Sequence, residues 1–201
     1  MKIPSLLALL LASVVAYAQP SVTLLTFESY TFSDKFDTQY GTGKIGDGFQ
    51  WGGGLEFGLS EETAIELIYQ RLDTEAEYAG FDQRYTGSVG INYIMAGGTR
   101  YLPVNDKIAG FGTFNMGVGW FEPESSLESE GSARFSLGGR LGLRIMASEK
   151  VSIRLHGQLF SPVQWAGGGF YFGTGGSGAG VSTGSTIWQF NLGGSLNYRL
   201  R

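Results

Sequence analysis

The last fourteen residues alternate without a break. Trp188, Phe190, Leu192, Gly194, Leu196, Tyr198 and Leu200 occupy one phase, and Gln189, Asn191, Gly193, Ser195, Asn197, Arg199 and Arg201 the other. Successive side chains of an extended chain point to opposite faces, so this stretch predicts a strand with one apolar and one polar face. At about 3.3 Å per residue it is long for a soluble protein and suits a tilted membrane crossing. A second stretch is nearly as regular, with Phe135, Leu137, Gly139, Leu141, Leu143 and Ile145 facing away from Arg134, Ser136, Gly138, Arg140, Gly142 and Arg144. A third sets Phe49, Trp51, Leu55, Phe57 and Leu59 against Gln50 and Glu56. Two strands are poorer: Leu24, Leu25 and Phe27 fit no single phase, and Arg71 falls on an apolar one. A register shift or bulge is expected there.

Three short polar segments read as tight turns: Ser60 to Thr63, Val104 to Lys107 and Ala147 to Lys150. They start 44 and 43 residues apart, a near-constant period that implies a repeated unit of strand, loop and strand. With one hairpin before the first turn and one after the last, the chain is expected to form an all-β, eight-stranded antiparallel up-and-down barrel. The expected strands are Val22 to Phe32, Phe49 to Leu59, Ala64 to Thr74, Tyr85 to Leu102, Ile108 to Phe121, Ser132 to Met146, Val151 to Ser161 and Thr186 to Leu200. Longer segments rich in Gly, Ser and acids lie between them at Ser33 to Gly48, Glu75 to Arg84, Glu122 to Gly131 and Val163 to Ser185. Short turns at one end and long loops at the other match transmembrane barrels, whose turns are periplasmic.

The first residues change the picture of the compartment. One Lys, an apolar run from Leu6 to Val15 and the small-x-small site Ala16-Tyr17-Ala18 read as a secretory signal peptide over residues 1–18. The remaining 183 of 201 residues, 19–201, make one barrel domain. No later stretch approaches the ~20 apolar residues of a membrane helix, so a membrane-spanning form must be a closed barrel. With no Cys, an exported fold here rests on backbone pairing. The 33 Gly suit tightly curved strands and a crowded interior. A net charge of −4 offers no basic footprint for nucleic acid.

Charge placement separates a membrane barrel from a soluble one. Lys35, Lys44, Lys107 and Lys150 fall in expected loops or turns, whereas Arg100, Arg134, Arg140, Arg144, Arg154 and Arg199 fall on polar strand phases. A confined interior favours Arg, whose planar fork engages several acceptors at once. Glu28, Glu56 and Glu66 are the available partners, and with Arg100, Arg140, Arg144, Arg154 and Arg199 they are expected to form an interior charge network in the turn-side half. Trp51, Trp120, Trp165 and Trp188 cluster near loop-side strand ends as an aromatic belt, with Tyr101 and Tyr198 on the turn side.

Candidate chemistry is sparse. His156 is the one His and shares a polar phase with Arg154 and Gln158, so it reads as an interior hydrogen-bonding group before a catalytic one. Gly173 to Gly178 matches G-x-G-x-x-G, but no strand-to-helix context follows it. Phe170, Tyr171 and Phe172 either fold over the barrel mouth or touch a ligand. Glu122, Glu124, Glu128 and Glu130 form an acidic loop that is solvated or meets divalent cations; no Asp-x-Asp-x-Asp-Gly spacing marks a dedicated metal site, and no cofactor motif is present.

The closing strand, with Asn191, Gly193, Leu196 and Tyr198, resembles the C-terminal assembly signal of bacterial outer-membrane barrels, although this chain ends Leu200-Arg201 where many end on an aromatic residue. Together with Tyr30 to Phe36, Gly98 to Pro103 and Trp120 to Pro123, it makes the chain similar to the porin-like outer-membrane β-barrel domain family of Gram-negative bacteria, abundant among Bacteroidetes. The resemblance implies a monomer in the bacterial outer membrane, with membrane lipids, lipopolysaccharide and the barrel-assembly machinery as partners. It implies a structural, adhesive or ligand-binding role. A narrow passive channel is the second reading. A lipid-modifying enzyme is the third, but Leu155-His156-Gly157-Gln158 lacks the His-x-Ser pattern of the lipid A deacylases.

Overall fold

The computed structural model describes residues 21–38, 41–80, 84–123, 133–162, 169–173, 176–180 and 188–200; the signal-peptide segment lies outside them. Twelve strands follow in chain order: β1 (Ser21–Thr31), β2 (Asp34–Thr38), β3 (Gly41–Ile45), β4 (Gly48–Gly58), β5 (Thr63–Gly80), β6 (Arg84–Pro103), β7 (Ile108–Pro123), β8 (Arg134–Met146), β9 (Val151–Pro162), β10 (Gly169–Gly173), β11 (Gly176–Gly180) and β12 (Gln189–Arg199). Eight of them, β1, β4, β5, β6, β7, β8, β9 and β12, pair antiparallel in that order, and β12 returns to β1.

Closure can be followed residue by residue. Arg199 on β12 faces Thr23, and the cross-strand partners continue through Glu56, Glu66, Gly97, Asn115, Gly138 and Phe160 to Gln189. The path re-enters β12 ten residues from its start, so the strands tilt strongly and the cylinder is narrow.

No residue is inserted where a bulge was expected. The β1–β12 register is the same on both sides of Thr26 and Phe27, and Thr26 Oγ1 donates to the Leu196 carbonyl there at 3.0 Å. Strand β1 lacks a clean phase for another reason: Leu24 faces outward while Leu25 and Phe27 are buried in the lumen, which is apolar at that point. Arg71 keeps its outward phase in an unshifted β5, held by Asp73 and Glu122 at the outer surface.

The turns share one local device. Ser60 Oγ accepts from the amides of Glu62 and Thr63, Asn105 Oδ1 from those of Lys107 and Ile108, and Ser148 Oγ from those of Lys150 and Val151. A short polar side chain thus satisfies two amides that the ending ladder leaves unpaired.

The loop end is more ordered than expected. Segment 33–48 contains the hairpin β2–β3, whose second strand adds to the edge of β5, and β5 and β6 pair through Ala79 and Arg84, so segment 75–84 is mostly sheet. Lys35 and Lys44 therefore lie on strands, opposite each other across the hairpin, and Lys44 Nζ sits 3.9 Å from Glu77. β10 and β11 pair as a separate hairpin.

The outer face of the cylinder is apolar. Leu67, Phe114, Leu141, Leu155, Phe190, Leu192 and Leu196 all stand exposed on it. An apolar surface that encircles the barrel is stable against lipid tails and not against water, so the barrel is a transmembrane one.

Candidate functional site in the barrel lumen

The turn-side half of the lumen is charged. Glu56 and Glu66 are directly opposite each other on β4 and β5 and both point inward, an arrangement that is repulsive by itself. Two arginines cross the lumen from the facing wall to offset it. Arg140 Nη2 on β8 donates to Glu66 Oε1 at 2.7 Å, and Arg154 Nη2 on β9 donates to Glu56 Oε2 at 2.6 Å, with Arg154 Nη1 3.9 Å from Glu66. Arg140 and Glu66 are both 0% exposed.

Neutral donors complete the two carboxylates. Asn115 Nδ2 reaches Glu66 Oε1 at 2.7 Å, Thr99 Oγ1 reaches Glu66 Oε2 at 3.4 Å, and the Tyr101 hydroxyl reaches Glu56 Oε2 at 2.6 Å. Aromatic faces then carry the guanidinium planes: Arg140 lies 4.5 Å from the Phe27 centroid and Arg144 4.1 Å from that of Tyr101.

Toward the loops the lumen changes character. Ile68, Leu72, Ile91, Tyr93 and Met95 from β5 and β6 pack with Leu25, Phe27 and Phe160 into a buried apolar cluster. Beside it runs a chain of amides. Gln50 and Gln158 both donate to Gln70 Oε1, at 3.1 and 2.7 Å, and Asn191 donates to Gln50 Oε1 at 2.8 Å. The Tyr93 hydroxyl closes the layer by donating to Gln189 Oε1 at 2.8 Å.

Three expected members of these groups are placed elsewhere. Glu28 is exposed on the outer phase of β1, because the inner phase there is taken by Leu25, Phe27 and Ser29. Arg100 also faces outward, where it meets Glu62 of the adjoining turn at 3.3 Å. Tyr101 is not in an aromatic belt but inside, 3% exposed, because one step along β6 from outward-facing Arg100 is an inward position. Arg199 and Arg134 keep the inner phase at the two ends of the barrel, the first exposed and the second half-buried.

Trp51, Trp188 and Tyr198 are exposed on the outer face, and Trp120 is half-buried there; Trp165, Glu124, Glu128 and Glu130 lie outside the described residues. Phe170, Tyr171 and Phe172 lie on β10. Glu122 is on β7 rather than in a loop. It accepts from Arg71 at 2.7 Å and from Asn92 at 3.4 Å in an outer polar cluster that also holds Asp73, bonded to Trp51 Nε1 at 3.1 Å. Between β3 and β4, the Tyr30 hydroxyl bonded to Asp47 holds that carboxyl below the usual range.

His156 is 5% exposed, edge-on to Phe27 at 6.2 Å, and neither ring nitrogen has a hydrogen-bond partner among the described residues. No group that could act as its nucleophilic partner is bonded to it, so the arrangement does not form a catalytic constellation among the described residues. The amide chain escaped the sequence reading, although its members share inner phases with the charges: Gln70 lies four residues from Glu66, and Gln158 four from Arg154. The apolar cluster had a signal too, since both phases of β5 and β6 carry large apolar residues.

No family model matches the chain, and no curated protein matches it in sequence. Solved structures do match. Neisserial surface protein A is similar over 89% of this chain and 97% of its own, at 10% identity and a TM-score of 0.61. The outer membrane protein OprG from Pseudomonas aeruginosa is similar over 89% and 96%, at 10% identity and a TM-score of 0.55. With eight strands closed over a shared register, an apolar exterior and a polar, charge-paired interior, the chain has the fold of the small outer-membrane β-barrels.

Proposed function

We propose that this is an exported, integral outer-membrane barrel that does not conduct, acting as an envelope component and through binding at its loop end. The observation that carries the reading is the double closure of the lumen: an ion-paired layer of Glu56, Glu66, Arg140 and Arg154, then a layer of packed apolar and amide side chains, nearly all fully buried. Eight strands leave an interior that side chains fill. In this reading the three tight turns are periplasmic. The sheet built by β2, β3, β5 and β6 rises outside as the surface for a ligand or the lipopolysaccharide layer, with Lys35, Lys44, Glu75 and Glu77 on it. Purified protein in a planar bilayer is expected to show no steady ion conductance. A reproducible open state that shifts toward cations in Arg140→Glu would overturn the reading.

A narrow passive channel is the second reading, favoured by the unpartnered polar atoms of the lumen. Gln70 Nε2, Gln158 Oε1, Gln189 Nε2 and Asn191 Oδ1 lack partners among the described residues and could line a file of water. Osmotic swelling of proteoliposomes separates the two, since only the channel admits small solutes.

A further inference from the structure

At the turn end the lumen closes on a small hollow of about 20 Å³ whose charged lining is Glu56, Arg144, Glu149, Lys150, Arg154 and Arg199. Four cations face two carboxylates, so the lining carries two surplus positive charges. The Glu56 carboxylate is already taken up at Oε2 by Arg154 and Tyr101. Arg154 is 1% exposed, and its Nε and Nη1 donate no hydrogen bond among the described residues; Nε of Arg144 donates none either. The rim residues Glu149, Lys150 and Arg199 are exposed, so the small hollow meets solvent at the turn end.

We propose that the small hollow binds a small inorganic anion of halide size, with Arg154 and Arg144 as its hydrogen-bond donors and Lys150 and Arg199 closing the rim. The volume matches one water molecule or one monatomic ion. A water molecule would accept from these donors but leave the inner guanidinium groups of Arg144 and Arg154 facing the one inner carboxylate of the lining, Glu56, with Lys150 and Arg199 adding positive potential from the exposed rim. An anion satisfies the orphaned N–H groups and the charge together. The inference is independent of whether the barrel conducts.

The test uses the full barrel folded in zwitterionic detergent. Its urea midpoint is measured against sodium bromide at constant ionic strength, with sodium gluconate as the balancing salt. Bromide is expected to raise the midpoint saturably, and a bromide-soaked crystal should show an anomalous peak between Arg144 and Arg154. Removing one charged donor in Arg144→Gln should raise the half-saturating bromide about tenfold, the equivalent of one such hydrogen bond. Because Arg144→Gln also removes a stacking contact on Tyr101, Lys150→Gln, an exposed turn substitution that leaves this contact in place, provides a second reading with a smaller increase. A midpoint indifferent to the exchange of gluconate for bromide, or a hollow without anomalous signal, overturns the proposal.

Discussion

Gly138 and Gly139 are consecutive on β8 and meet different surroundings. A methyl group at Gly138 would lie 2.2 Å from Cδ1 of the buried Phe160 ring, whereas at Gly139 the nearest atom would be the Thr113 carbonyl oxygen at 3.8 Å. The same contrast separates Gly119 inside, 2.8 Å from the Tyr93 ring, from Gly98 outside, with nothing within 4 Å. It separates the ion pairs as well: Glu66 and Arg140 are wholly buried, while Arg100 and Glu62 are 69% and 52% exposed. The two faces of one alternating strand therefore obey different rules. Toward lipid a residue need only be apolar, but toward the lumen it must fit a particular neighbour.

The largest effect that would break this contrast is in the charges. Glu66→Ala leaves Arg140 without its carboxylate in a sealed space and is expected to destabilise the barrel by about 3 kcal/mol or more, in the manner of a broken buried pair. Glu62→Ala, at the exposed pair, is expected to change stability by less than about 0.5 kcal/mol. Equilibrium urea unfolding in lipid vesicles reads both. Equal midpoints for the two variants would mean that the interior network carries no net stability. The steric arm is somewhat smaller. Gly138→Val should cost about 1–3 kcal/mol through overpacking against Phe160, while Gly139→Val should stay near the parent. A Gly138→Val barrel as stable as the parent would show that the Phe160 ring can move aside.

What could be read from the sequence follows from the same division. Alternation in β8 and β12 needs only one apolar face, and their boundaries fall within three residues of those expected from pattern alone. Arg140, Arg144 and Arg154 could be assigned inward because lipid excludes them. Partner choice was not legible, since it depends on the accumulated offset between strands three steps apart around the barrel. Glu28 illustrates the limit: an acid with no clean phase in its strand looked like a lumen partner, but the apolar patch from β5 and β6 draws Leu25 and Phe27 inward and turns Glu28 out. Tyr101 errs the opposite way, because a Tyr near a strand end suits the membrane interface and also suits a buried carboxylate equally well. The sheet extension by β2 and β3 was hidden by polar residues that need no buried face.

Within the lumen, a neutral hydrogen bond should matter less than the ion pair. Tyr93→Phe removes the donor to Gln189 while leaving the ring in place against Phe160, and should cost about 1–2 kcal/mol by leaving a buried amide oxygen unpaired. The same urea titration measures it, and an unchanged midpoint would mean that water replaces the hydroxyl.

The smallest expected effect has the opposite sign, and it tests the outward assignment of Glu28. This residue lies opposite Trp51 and Gly194 in the ladder, on the face that carries Leu192 and Leu196, and its carboxylate makes no hydrogen bond or ion pair among the described residues. An acid on the lipid face carries a depth-dependent penalty, smaller than the roughly 2–4 kcal/mol of a basic residue at the midplane. Glu28→Leu should therefore stabilise the barrel in a bilayer by about 1 kcal/mol or less, and the gain should shrink in a detergent micelle that lets water reach the side chain. Glu56→Leu, its counterpart inside, should destabilise in both media because it strands Arg154. Folding free energies of both variants in vesicles and in micelles decide the matter. If Glu28→Leu weakens the barrel in vesicles, the carboxylate is engaged by a partner on the lipid side and does not simply face acyl chains.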